Sequence, residues 1–189
     1  GAVSTAGDID TTNDNVSFAT AVTLTGAVDI DTNTGVGTIT FGSTLDGTTD
    51  FAQDLTLRAG DGSIDFDGAV GATKDLGDIA ITSAASVTAD AALNADSFTQ
   101  SAGTGTTQFD GAVAINSAAA VDFAVTTDII NVNKAITTAN AGTVTFTNTG
   151  VLTIAADGDI TADGAVTQNG AGAVSTAGDI DTTNDNVSF

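Results

Sequence analysis

Short stretches in which apolar and polar residues alternate run along almost the whole chain: Val16 and Phe18, Ile39 and Phe41, Leu55 and Leu57, Ile79 and Ile81, Val144 and Phe146, Leu152 and Ile154. Side chains two apart share one face of an extended backbone, so each stretch predicts a short strand with a single buried side. Between the stretches lie clusters that accept tight turns, among them Asn13-Asp14-Asn15, Asp61-Gly62 and Asp157-Gly158. The Ala-rich segment 84–95 comes closest to a helical pattern, but Ser, Thr, Asp and Asn interrupt it without helix-capping logic. An all-β chain is therefore expected, without helical crossovers.

Two periods organise these strands. Residues 1–18, GAVSTAGDIDTTNDNVSF, recur unchanged as residues 172–189, an offset of 171 residues. Residues 1–171 are read as one full unit and 172–189 as the start of the next identical one, so the chain is expected to be a window on a longer tandem array. Inside the unit a degenerate period emerges when the strands are aligned on Phe: VSF at 16–18, GTITF at 37–41, GSIDF at 62–66, GTTQF at 105–109, GTVTF at 142–146 and VSF at 187–189. An apolar residue returns four positions after most of these Phe, at Val22, Leu45, Val70 and Val113, but five after Phe146, at Val151. Spacings of 23 and 25 residues read as single turns and two spacings of 43 as double turns. That gives about eight turns of roughly 21 residues, each with about three strands, which is the pattern of a right-handed parallel β-helix or β-solenoid. Phe18, Phe41, Phe66, Phe109, Phe146 and Phe189 are expected to form one internal ladder. Val87, the Ile129-Ile130 pair and Val166 should stand near its vacant rungs. The absence of Pro fits, because each inner coil must donate backbone N–H groups to its neighbour.

The stretches GSIDFDGAVGATKDLGDIAITSAASVTADAALNADSF (62–98) and GTVTFTNTGVLTIAADGDITADGAVTQNGAGAVSTAGDI (142–180) resemble the long repeat regions of giant bacterial secreted proteins. These are the filamentous-haemagglutinin-like and related β-helical adhesins, or large exoproteins. The resemblance implies an extracellular or cell-surface rod that serves as a stalk or fibre, with adjacent identical repeats as its head-to-tail partners. It brings no catalytic residues with it.

Composition narrows the chemistry further. The chain has 24 Asp, no Glu, three Lys plus Arg, and no His, Cys, Tyr or Trp. The usual general bases, thiol nucleophiles and soft metal ligands are missing, so an enzyme is not expected and no cofactor is required. A net charge of −21 excludes a nucleic-acid surface and disfavours anionic lipid. No apolar run reaches the roughly 18 residues of a membrane span, and no basic-then-apolar leader precedes the first strands. One 171-residue period carries 21 Asp and three basic residues, a net −18. Over about eight coils at roughly 4.8 Å, this is about one charge per 2 Å of rod, close to duplex DNA.

Five Asp-x-Asp pairs are candidates for cation binding: Asp8/Asp10, Asp29/Asp31, Asp65/Asp67, Asp157/Asp159 and Asp179/Asp181. Two carboxylates on one strand face can ligate Ca²⁺ with carbonyls and water, and Asp8, Asp10, Asp157 and Asp159 are the residues singled out for it. The competing reading is a solvated acidic face, and the Gly-Gly-x-Gly-x-Asp signature of Ca²⁺-binding β-rolls is absent. A carboxylate-pair glycosidase is disfavoured for want of an aromatic sugar platform. Arg58, Lys74 and Lys134 read as isolated surface charges. Thr-x-Thr pairs such as Thr38/Thr40 do not recur coil after coil, so an ice-binding array is not expected. Two functions remain: a rigid acidic spacer in a filament or adhesin stalk, or a shaft that binds cations or polysaccharide along its sides.

Overall fold

In a computed structural model that describes residues 1–116 and 123–189, every named element is a strand and every strand pair is parallel. The chain winds as a β-solenoid of about eight coils, about 22 residues apart. Each coil lays one strand on each of three faces. Face 1 is a single eight-stranded sheet that runs from Val16–Phe18 through Ile39–Phe41 and Ser63–Phe66 to Val174–Thr176. Face 2 begins with Val3–Thr5 and Val22–Leu24 and ends with Ile180–Thr182. Face 3 begins with Ile9–Asp10 and Val28–Asp31 and ends with Val187–Ser188. In the fifth coil the strand Leu93–Gln100 crosses the corner without a break: Leu93 pairs with Val113 on face 2, and Phe98 with Phe123 on face 3.

The apolar-polar-apolar phrase explains why each strand is so short. Two inward side chains and one outward one fill one side of a thin triangular core, and then a corner is needed. Ile39, Phe41, Leu45, Leu55 and Leu57 are fully buried in succession, and the buried apolar residues form one continuous cluster. Gly60 shows what a corner demands. Its φ is +56°, and a Cβ there would lie 2.5 Å from the carbonyl carbon of Thr34 in the preceding coil. Asn13 and Asn33 take the same left-handed conformation at φ 64° and 69°, which Asn tolerates better than most residues.

The expected aromatic ladder divides. Phe18, Phe41 and Phe66 stand in register on face 1, with ring centroids 5.3 and 5.4 Å apart and nearly parallel planes. The column continues through Ala89 to Phe109, then through Val132 and Ile154 to Thr176. Phe146 does not belong to it: it pairs with Val125 on one side and Gln168 on the other, on face 3. Phe189 follows Ser188 on that same face and is 55% exposed. All three faces accept the same phrase, so aligning on Phe merged two columns. Phe109 and Phe146 instead join Phe98 and Phe123 in a second, mixed aromatic cluster with centroid distances of 5.3–6.0 Å. Ala89, Val132 and Gln168 occupy the vacant rungs. Val87, Ile130 and Val166 lie two residues earlier on the same strands.

The two identical segments also fall on different faces. Val3–Thr5, Ile9–Asp10 and Val16–Phe18 lie on faces 2, 3 and 1, whereas their copies Val174–Thr176, Ile180–Thr182 and Val187–Ser188 lie on faces 1, 2 and 3. The 171-residue unit therefore closes one face short of eight full turns.

Polar side chains enter the core in pairs that satisfy each other. Thr107 donates to Gln100 Oε1 at 2.7 Å, and Gln168 Nε2 donates to Asn148 Oδ1 at 2.8 Å. Among the described residues no buried side-chain nitrogen or oxygen lacks a partner, as is usual for polar groups taken out of water.

Candidate functional site

The outward positions of the first coils on face 3 bring charged side chains together. Asp10, Asp31 and Arg58 are register neighbours on three successive strands. Arg58 Nη1 donates to Asp31 Oδ2 at 3.1 Å, and with Asn33, Thr11 and Thr12 these residues line a shallow depression of about 300 Å³. Asp29 lies alongside. Partial burial raises its carboxyl above the ordinary value, with repulsion from Asp8, Asp31 and Asp10 adding to the rise and Arg58 opposing it. On face 1, burial likewise raises the carboxyl of Asp65, reinforced by Asp67 and Asp90 and opposed by a hydrogen bond from Thr88.

All three basic residues pair with an Asp of an adjacent coil. Besides Arg58, Lys74 Nζ reaches Asp50 at 2.8 Å and Lys134 Nζ reaches Asp157 at 2.7 Å. The hydrogen bond from Lys74 lowers the Asp50 carboxyl and raises the lysine; that from Lys134 lowers Asp157. These pairs are largely exposed, so water and salt screen most of their attraction. Their direction matters more than their strength, because each ties one coil to the next.

The candidate cation ligands are spread along the rod. Asp8 and Asp10 lie at the first edge, whereas Asp157 and Asp159 lie on the corner that leads from face 1 of the seventh coil to face 2 of the eighth. One carboxylate of each of these two pairs is already engaged: Asp8 Oδ1 accepts the backbone N–H of Asp29 at 2.9 Å, and Asp159 Oδ1 accepts that of Asp179 at 2.9 Å. Asp54 does the same for Asp78 at 3.0 Å. A carboxylate just before a strand thus caps the next coil's backbone. Among the described residues, no three or more acidic, His or Cys side chains gather as a metal site.

Sequence reasoning missed the Asp31–Arg58 rung. The two residues are 27 apart, longer than the average coil, because the 48–54 loop lengthens the turn between them. That loop carries Phe51, which is 37% exposed at φ 59°.

The remaining functional feature is the pair of open edges. The first coil, residues 3–18, and the last, residues 174–188, each have one side of backbone and apolar surface without a partner strand, and Val187 is 44% exposed. Such edges are templates for further pairing. Set against family models, curated proteins and solved structures, the chain matches none.

Proposed function

We propose that this chain is a structural repeat unit of a long extracellular bacterial filament or adhesin stalk, acting as a rigid acidic spacer. One observation carries the reading: the stack has an open strand edge at each end, and both edges are built from the same 18 residues. A coil cannot bury its inner face alone, so a solenoid grows by repeating the contact already made between its coils. Adjacent identical repeats are the partners, joined head to tail. The net charge of −18 per 171 residues keeps neighbouring rods apart and draws a diffuse counterion atmosphere. Salt at seawater-like strength would screen that repulsion within a few Å. The few Lys and Arg and the absence of Cys suit a location outside the cell, where proteases and oxidants act. No catalytic group or cofactor is needed for this work.

The depression at Asp10, Asp31 and Arg58 favours one other reading, a shaft that binds cations or polysaccharide along its sides. That reading predicts saturable uptake of Ca²⁺ or an oligosaccharide by the 189-residue chain, whereas a spacer takes up cations only diffusely. The spacer is tested by the mass of the native polymer after denaturation, set beside electron micrographs of the intact fibre. A very long polypeptide with an axial rise of about 37 Å per unit supports it. A fibre with no such rise would overturn it.

A further inference from the structure

The face change between the identical segments has a consequence for the whole fibre. Among its described residues the unit contains 21 strands before Val174; Val70 adds a face-2 position through its bridges to Leu45 and Leu93, and Leu93–Gln100 serves two faces. The unit thus fills 23 face positions, one fewer than the 24 of eight complete coils. We infer that the edge formed by Val174–Thr176, Ile180–Thr182 and Val187–Ser188 is the docking surface for the next copy of this sequence, which stacks on it rotated by one face. This rests on the tandem-repeat reading above.

The register of the contact is already present at the other end. Val22–Leu24 stacks on Val3–Thr5, Val28–Asp31 on Ile9–Asp10, and Ile39–Phe41 on Val16–Phe18. Residues 174–188 offer the same side chains in the same order, so residues 22–41 of the next repeat meet the surface they already fit. They meet it one face displaced. The Phe18–Phe41–Phe66 stack, on face 1 here, passes to face 3 in the next repeat, because Phe189 is the copy of Phe18 and follows Ser188 on face 3. The Asp10–Asp31–Arg58 shelf passes from face 3 to face 2, because Asp181, the copy of Asp10, stands beside Thr161 on face 2.

Equivalent residues return to the same face only after three repeats, or 23 coils, which is about 110 Å of rod apart from the gradual twist of the stack. A unit of 24 positions would line up every acidic shelf and every weakly charged strip on one side, giving the filament a flat, uniform face for lateral sticking. A unit of 23 distributes each feature around the axis. Neighbouring rods then find no continuous matching face, which guards against sideways bundling.

Cysteine pairs test both levels, since the chain has no Cys of its own. In the 189-residue chain, Thr153→Cys with Ser175→Cys joins register neighbours on face 1, and oxidation should remove both free thiols. Thr161→Cys with Ser175→Cys should stay reduced; it would close only if the second segment repeated the face of the first. The reverse result would overturn the face shift and leave the repeat reading standing. In a chain of two joined repeats, Ser175→Cys with Thr23→Cys of the second repeat should also close. Failure of that pair alone would mean the repeats do not stack, which sinks the tandem reading itself. A cryo-electron microscopy map of the same two-repeat rod, without any substitution, gives an independent answer: the parallel Phe stack should lie on different faces in the two repeats. Finding it on the same face in both would contradict the inference.

Discussion

The two copies of GAVSTAGDIDTTNDNVSF make the same corners on different sides of the rod. Thr11 Oγ1 donates to the carbonyl of Asp14 at 2.8 Å, and its copy Thr182 donates to that of Asp185 at 2.7 Å. Thr5 donates to Gly7 at 3.2 Å and Thr176 to Gly178 at 3.0 Å. Asn13 and Asn184 have φ of 64° and 63°. Yet the Asn13 corner joins face 3 to face 1, and the Asn184 corner joins face 2 to face 3. Corner shape is therefore a local property of the sequence, and face is a matter of counting strands. The copies differ in their cover. Phe18 is half-buried in a ring stack with Phe41, whereas Phe189 is 55% exposed at the other edge.

The largest test of this contrast is the loss of an aromatic rung. Phe41→Ala should cost about 3–5 kcal/mol in denaturant unfolding, since it empties a fully buried site between two stacked rings. Phe189→Ala should change the 189-residue chain by less than about 0.5 kcal/mol. In a two-repeat chain the same substitution should become several-fold more costly, because the next repeat would cover it; an unchanged small effect there would mean the edge stays open. Next in size, Asn148→Ala should cost about 1–3 kcal/mol, because one N–H of the buried Gln168 amide loses its acceptor while the Gly170 carbonyl keeps the other, and the Gly150 carbonyl loses the Asn148 Nδ2 donor.

The corners come third. Asn13→Ala should cost about 1–2 kcal/mol, because Ala is strained in the left-handed region. The substitution also removes the acceptor for the Gly35 N–H at 2.7 Å. Asn184→Ala lacks that second loss and should cost about 1 kcal/mol or less. Equal costs in the single chain would show that the inter-coil bond adds nothing. Asp65→Asn should bring only a slight stabilisation at neutral pH, because solvent screens a carboxyl that is this exposed. Its carboxyl is raised in the folded state, so its contribution favours folding below the ordinary carboxylate value and is lost as pH rises through the folded value. Melting temperature against pH should therefore fall less steeply through that window in the Asn variant. Asp50 and Asp157, which are lowered, act oppositely and lose their contribution as pH falls.

Much of this fold is legible without coordinates, for a simple reason. Each strand needs only an apolar-polar-apolar phrase, and each corner needs Gly, Asn or Asp, so phrases and corners punctuate the sequence at the coil spacing. The column Phe18–Phe41–Phe66 and its two-turn step to Phe109 follow from spacing alone. Phe146 was misplaced because the phrase GTVTF carries no label for its face. The one available signal was the apolar residue that returns five positions later instead of four, which marks a different corner. Phe98 and Phe123 lack the phrase altogether, so their cluster with Phe109 and Phe146 emerges only when the three faces fold inward. The Asp carboxylates were legible as an acidic surface, but not as caps on the next coil's backbone. Those partners lie 20 to 24 residues away, at distances set by loop lengths that vary from coil to coil.

If identical repeats continue one solenoid, small-angle X-ray scattering from chains of one, two and three joined repeats should show a maximum dimension that grows by about 37 Å per repeat, at the strand spacing of stacked coils, while the cross-sectional radius stays constant. Smaller or irregular increments, or a cross-section that thickens with repeat number, would mean that the repeats fold back or dock side by side, and would contradict that continuity.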